Sequence, residues 1–291
     1  MAGLQATVCA SLEGWSPHTL WVVGTNLLFV LEFWLLGGLA FALESAAPPW
    51  LMRYHTQPEA RLDLRDPAAR AKFFHACRVV LRNQLLNVPL ALALAPLMAG
   101  RLDYSASGCA SLGPARLLLD LGVASVATEV LFYCSHRAMH TAPLYARFHK
   151  THHEWTAPTA ITCIYAHPVE FIFGNILPVL AGPALARSHI VVLWGWLLVS
   201  MAGTLHAHSG FHVPLLPSNE FHDFHHLRHN SNFGTFGLLD WLLGTDGAFQ
   251  KHVASERHHV LLGLQSARER FPDSEAHGAG AAGGAQKEKT K

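Results

Sequence analysis

Apolar runs at Thr19–Leu43, Leu85–Met98, Leu117–Tyr133, Phe171–Ala186 and Ile190–Leu205 set the limits on what this chain can fold into. Lipid offers no water to main-chain N–H and C=O groups, so a spanning segment must be a helix or part of a closed barrel. The runs are continuous rather than alternating, which predicts helices. The first is broken only by Asn26 and Glu32 and is long enough to cross about 30 Å of hydrocarbon. Leu85–Met98 is short. The last two are also short, and Pro178, Gly182 and Pro183 interrupt Phe171–Ala186, so this pair either crosses fully or forms a re-entrant hairpin. The expected fold is an all-α integral membrane protein with four to five membrane-spanning or re-entrant helices and a cytosolic histidine-rich helical cap. Composition agrees: 51% of residues are hydrophobic and 14% charged, where soluble domains carry about 25% charged. With a net charge of +1, no bulk field draws nucleic acid.

Charge orients the runs. Residues 1–18 contain no Lys or Arg, so the basic region of a cleaved signal peptide is missing. The polar stretch Glu44–Asn83 carries Arg53, Arg61, Arg65, Arg70, Lys72, Arg78 and Arg82. Such enrichment marks the cytoplasmic side, so the first run heads from lumen to cytosol. Arg101–Pro114 then reads as a lumenal turn. The fourth and fifth runs return the chain to the side it left. The expected organisation is 1–114, membrane spans and a cytosolic linker; 115–250, a catalytic domain; and 266–291, a disordered tail. The five cysteines are scattered and form no Cys-x-x-Cys pair, which argues against a disulfide scaffold or a thiolate zinc site.

Fourteen of the 21 histidines fall between His136 and His229. His136 and His140 are four apart, which places them on one helical face. His149, His152 and His153 follow at i, i+3 and i+4. His208 and His212 repeat the first spacing, and His222, His225 and His226 repeat the second. Neutral imidazole is the commonest protein ligand for iron, zinc and copper. Ten histidines are too many for one ion and suit two, so these ten are the candidate metal ligands, in a pseudo-symmetric cage. Every cluster follows an apolar run, which puts all of them on one side of the membrane.

No catalytic residue is expected beyond the ligands. Asp120 and Glu129 lie inside the third run, where acids are functional candidates. Glu129 precedes His136 by two turns and could hold a ligand ring N–H, or simply make a bond within the helix bundle. Glu170 and Asp223 are further candidates for that supporting role. His167, His206 and His229 are either ligands, supporting residues or neither. His18, His55, His75, His189, His252, His258, His259 and His277 read as ordinary polar residues, and Cys134 as facing away from the histidines.

The stretches HRAMH (His136–His140), HKTHHE (His149–Glu154), YAHPVE (Tyr165–Glu170), HSGF (His208–Phe211), HDFHH (His222–His226), NFG (Asn232–Gly234) and DWLLGT (Asp240–Thr245) resemble the fatty acid hydroxylase/sterol desaturase superfamily. Within it, YAHPVE, HSGF and HDFHH are most similar to C4-methylsterol oxidases. The resemblance implies an endoplasmic reticulum multi-pass oxygenase with two iron ions held by the histidines. Zinc could occupy the site in a purified sample. It implies O₂-dependent hydroxylation of a sterol or other lipid, with electrons from NAD(P)H through cytochrome b5 or a similar carrier. Methylsterol oxidases carry an acidic residue near His212. Lipid α-hydroxylases instead have a His-x-x-x-His pair there, which keeps fatty acid or sphingolipid hydroxylation as an alternative. Lys287 and Lys289 resemble a dilysine retrieval signal, though a solvated Lys tail reads the same way. Competing classes are a membrane metal transporter, a haem electron carrier and a regulator that has lost activity.

Overall fold

The computed structural model describes residues 2–273. Five helices are long and apolar enough to cross a bilayer: Pro17–Ala46, Pro67–Arg101, Pro114–Met139, Pro168–Ala186 and Ile190–Ala207, the first to fifth spans. Among the described residues there is no strand, only two isolated bridges, His55–Phe211 and Asp103–His189. The fourth and fifth spans hold 19 and 18 residues. At 1.5 Å per residue that is about 27–29 Å, close to the thickness of the hydrocarbon layer, so both are long enough to cross it.

Proline starts four of the five spans, at Pro17, Pro67, Pro114 and Pro168. Its missing N–H lies where no helical acceptor exists. Asp66 caps the second span by accepting from Ala68 and Ala69. That places the helix start well inside the stretch expected to be polar linker. A capping aspartate ahead of proline outweighs the charged residues that follow, which lie on the exposed turns leading to the apolar part. His167 and His189 cap the fourth and fifth spans, each Nδ1 accepting from the main chain two residues on.

Polar side chains join the spans inside the apolar layer. Asn87 Nδ2 donates to Asn26 Oδ1 at 3.0 Å. Trp34 Nε1 donates to Gln84 Oε1, and Trp21 Nε1 to the Ala91 carbonyl. Asp120 pairs with Arg116 at 2.8 Å, and the same guanidinium donates to the carbonyls of Ala186 and Arg187. This acid inside a span is therefore a tie between the third and fourth spans. Around these links lie two apolar cores. One, with Phe33, Phe73, Val80, Ile161, Ile164 and Phe171, lies under the histidines. The other, with Trp21, Met98, Leu180, Ile190 and Leu193, lies toward the opposite end.

The two ends of the bundle differ. At one, Asp103 bonds to Ser188 and Ile190 main chain, and Cys9 is disulfide-bonded to Cys109. The cysteines form no disulfide scaffold, yet this one pair, 100 apart in sequence, meets because the span reversals bring the N-terminal helix onto the Arg101–Pro114 turn. Cys134 is exposed. At the other end sit every histidine cluster, the segment Ala47–Asp66 and the chain after Ala207. His55 packs there against Phe211, and Thr56 N–H donates to Gly210.

The tail expected to be disordered from Ser266 is folded for its first residues. Ser266 and Glu269 form a reciprocal cap on the helix Ala267–Arg270. Arg268 pairs with Glu59 and Asp273, and Arg257 with Asp273. These pairs tie the segment to the histidine end. Lys287, Lys289, His277 and the remainder of that tail lie outside the described residues.

Candidate metal centre

The third span ends at the histidines. His136 lies in its last turn and His140 is its C-cap. The chain then runs through a π-helical turn, Tyr145–His149, and a 3₁₀ turn, His152–Glu154. His208 caps the C-terminus of the fifth span. His222, His225 and His226 lie on the helix Glu220–Arg228.

Nine imidazoles gather into two groups: His136, His140, His149, His153 and His225, and His152, His208, His222 and His226. In each, the candidate ligand atoms lie within 4.8 Å of one another. The closest approaches are all between Nε2 atoms. They are 3.2 Å for His136–His149, 2.9 Å for His140–His149, 2.9 Å for His149–His153 and 3.2 Å for His153–His225. In the second group they are 3.5 Å for His152–His208, 3.0 Å for His208–His222 and 3.1 Å for His222–His226. Two nitrogens bound at about 2.1 Å to one ion and a right angle apart lie about 3.0 Å from each other. The spacing fits metal ligation.

Each His-x-x-His-His stretch exchanges one member. His149 and His153, four apart, stay together, while His152 crosses to the second group. His222 and His226 stay together, while His225 crosses to the first. On the helix Glu220–Arg228 the i+3 residue lies about 60° round from the i residue and about 100° from the i+4 residue. This exchange ties the two groups into one structure, with His152 and His226 ring centres 4.7 Å apart.

Main-chain carbonyls fix the rings. Nδ1 donates to Phe233 O from His136, Tyr165 O from His152, Thr204 O from His208, Ser231 O from His225 and Trp155 O from His226. A carbonyl only accepts, so these nitrogens carry the proton and the Nε2 lone pairs are free for a metal. The Nε2 atoms of His152 and His208 therefore face each other as two lone pairs, an arrangement that a cation relieves. Burial and neighbouring imidazoles hold the rings neutral. His152 is pushed down to about 4, His208 to about 3 and His140 to about 2, and His149, His153, His222, His225 and His226 lie well below the ordinary histidine range.

The tenth expected ligand, His212, joins neither group. The fifth span stops at His208 and Gly210 turns the chain at φ +72°, so the four-residue spacing is no longer on a helix. His212 Nε2 donates to His259 O and its Nδ1 lies 3.6 Å from Glu220. His167 is a helix cap, and His206 bonds to Pro217 O. The His229 ring lies 4.5 Å from that of His153, tilted by 60°, but belongs to neither group.

The acids also take other roles. Glu129 bonds to no histidine; it accepts the main-chain N–H groups of Thr235, Phe236 and Leu239 at 2.8–3.1 Å. It thereby anchors the loop whose Phe233 carbonyl holds His136. Asp223 accepts from Gln57, not from a ligand. Glu170 is the acid beside a ligand. Its Oε2 lies 3.0 Å from His149 Nδ1, although the pair is not aligned as a hydrogen bond. Asp240 had no assigned role, yet it accepts Phe233 N and Gly234 N. A Cβ on Gly234 would come within 2.8 Å of both Asp240 and Glu129 carboxylate oxygens, so this loop needs glycine there. Asn83 was also missed. It donates to Ile164 O and Ala166 O and so holds the buried strap that presents Tyr165 O to His152. Both residues sat in view, Asp240 inside DWLLGT and Asn83 beside an arginine, but nothing in their spacing tied them to the histidines.

The sequence profile of the fatty acid hydroxylase family matches residues 121–245, which span all nine histidines. Human fatty acid hydroxylase domain-containing protein 2 is 37% identical over 259 residues, covering 88% of this chain and 75% of that protein. Methylsterol monooxygenase 2-2 of Arabidopsis thaliana is 30% identical over 252 residues, 81% of this chain and 89% of its own length. Very-long-chain aldehyde decarbonylase GL1-8 of Oryza sativa subsp. indica is 41% identical over 143 residues, 45% of this chain and 53% of the plant protein. No solved structure matches the chain.

Proposed function

The chain belongs to the fatty acid hydroxylase family, and from that premise we propose an O₂-dependent di-iron lipid monooxygenase, C4-methylsterol oxidase-like, fed with electrons from NAD(P)H through cytochrome b5 or a similar carrier. The observation that carries this reading is the convergence of nine Nε2 atoms into groups of five and four. Bound iron would supply the activation of O₂ needed to attack an unactivated C–H bond. The chain's own residues hold five of the nine rings in one tautomer through main-chain carbonyls and bury seven of the nine. All-nitrogen sites also suit zinc and copper; the family's hydroxylase character favours iron.

Two observations support a sterol. The full-length likeness includes a methylsterol monooxygenase. His212, whose spacing suggested a lipid α-hydroxylase, is engaged with His259 O and Glu220 rather than with the ligand groups. Fatty acid or sphingolipid hydroxylation is the alternative. The nine histidines cluster where spans end, whereas transporters bind ions near the bilayer midplane. That placement favours the oxygenase over the metal transporter.

The disulfide end would face an oxidising lumen, and Arg53, Arg61 and Arg65 flank the histidine end, so that end would be cytosolic. This matches residence in the endoplasmic reticulum membrane.

Two measurements test the reading. Protein purified in detergent should carry two irons per chain and no haem absorption. Cells lacking it should accumulate 4-methylsterols. Accumulation of non-hydroxylated fatty acyl lipids with normal sterols would move the substrate to the alternative, and iron-free protein active in metal uptake would end the proposal.

A further inference from the structure

Two loops at the histidine end are apolar, where surface loops are ordinarily polar. Residues 213–217 (VPLLP) and 260–264 (VLLGL) contain no Asp, Glu, Lys or Arg. Their Leu215, Leu216, Leu262 and Leu264 are 45–86% exposed. Single exposed leucines are common on protein surfaces, but a contiguous group marks a surface that something covers. These four are contiguous because Leu215 N–H donates to the Leu261 carbonyl at 2.9 Å, which lays one loop against the other. Leu215 also holds a φ of +66°. That left-handed region suits glycine or asparagine, so in water nothing recommends an outward leucine there.

The loops sit where two spans end. The first and fifth spans pack side by side, with Trp194 Nε1 donating to Thr25 Oγ1 at 3.0 Å and Gly37 set against Leu205. Their histidine ends therefore lie together. His206, in the last turn of the fifth span, donates to the Pro217 carbonyl at 2.8 Å and returns the first loop to the level of that turn. Tyr54, just past the first span, donates to the Leu264 carbonyl at 2.6 Å and fixes the second loop. Trp50, on the helix that follows the first span, is 64% exposed. Its ring is of the amphipathic kind that membrane–water boundaries favour.

We propose that the two loops and Trp50 form an uncharged seat that dips into the leaflet on the histidine side. The occupant is lipid, because the patch continues, past the helix ends, a surface that the first and fifth spans already bury in lipid. A seat of this kind enters about 5–10 Å, to the boundary between headgroups and acyl chains. Pro217 and Val260 belong to these loops and also line the cavity of about 380 Å³ that has His222 in its wall. The seat thus sets that side of the cavity against the leaflet. It stands on the five membrane spans alone and does not depend on which metal or substrate the histidines serve.

The test uses the full chain in phosphatidylcholine nanodiscs, with an environment-sensitive fluorophore on Leu262→Cys or Leu215→Cys in a Cys134→Ser background, and that background labelled alone as the blank. Both labels should emit to the blue of their aqueous position. Both should be quenched by a lipid nitroxide placed near the headgroup, less by one at the chain end, and spared by aqueous iodide. A label on Arg65→Cys, in the polar linker, should behave the opposite way. If Leu262→Cys does not fold, Leu264→Cys carries the same expectation. Aqueous emission with quenching by iodide would leave the loops in water and overturn the seat. Blue emission quenched by neither reagent would give the patch to a protein or a second copy of this chain, and would overturn it equally.

Discussion

His225 and His152 each lie between the two members of the pair they leave, three residues after the first and one before the second. Their crossing makes each histidine group depend on both His-x-x-His-His stretches. Removing His225 therefore strips a ligand from the group that contains no other residue of its own helix. We expect His225→Ala to lower bound iron from two toward one per chain, measured by elemental analysis, with His152→Ala doing the same at the second group. His212→Ala and His167→Ala should leave the iron count unchanged, because those side chains bond to a carbonyl and cap a helix. A full iron complement in His225→Ala would show that the groups are drawn wrongly. These assignments were half legible. Spacing of three and four residues picked out the nine histidines that gather, but the helix ends at His208 and the turn at Gly210 carries His212 away from both groups.

Glu129 shows how an element acts at a distance. It lies on the third span ten residues before Met139, about 15 Å along the axis. Its carboxylate takes three main-chain N–H groups, two from the loop before the helix Leu238–Leu243 and one from that helix's first turn. That helix exposes Leu238, Trp241, Leu242 and Leu243 and buries Asp240, the pattern of a segment set into the edge of the lipid. Glu129→Ala should cost about 3 kcal/mol, since bonds to a charged acceptor contribute more than neutral ones. It should also loosen iron about tenfold through the Phe233 carbonyl on His136. Glu129→Gln, which keeps an acceptor, should cost less. Thermal melts with parallel iron analysis check both, and an unchanged melt in Glu129→Ala would contradict the anchoring role. Glu129 stood out in the sequence as an acid inside a span. Its partners, main-chain groups more than 100 residues away, leave no mark in side-chain pattern.

For the whole molecule, the two ends respond to different conditions. His55, His152 and His208 have folded values near 4, 4 and 3, all depressed chiefly by burial. In the unfolded chain each binds its proton near 6.5, so below that pH the unfolded state gains protons that the folded state refuses. Stability is fully present above about 6.5 and is lost as pH falls toward 4, by about 1 kcal/mol per histidine per pH unit. The metal-free protein should melt progressively lower from pH 7 to pH 5, and bound iron should raise the melting temperature without removing that slope, because iron too requires neutral imidazoles. A melting temperature indifferent to pH would contradict the neutral cage. At the other end, Cys9→Ser should cost about 2–4 kcal/mol by freeing a long loop, and alkylation of the intact protein should label Cys134 and spare Cys9 and Cys109. Labelling of Cys9 without reductant would refute the link.

The chain's own order determined that it would be helical and lipid-embedded, and that all histidine clusters would emerge on one side. Both follow from run length and from counting crossings, which are local properties of the sequence. Only the tertiary structure decided which imidazoles gather into one group, which carbonyls fix their tautomers, and that Cys9 reaches Cys109. Those depend on the angles at which helices end and on main-chain groups, and main-chain groups are the same at every residue, so no pattern of side chains encodes their partners.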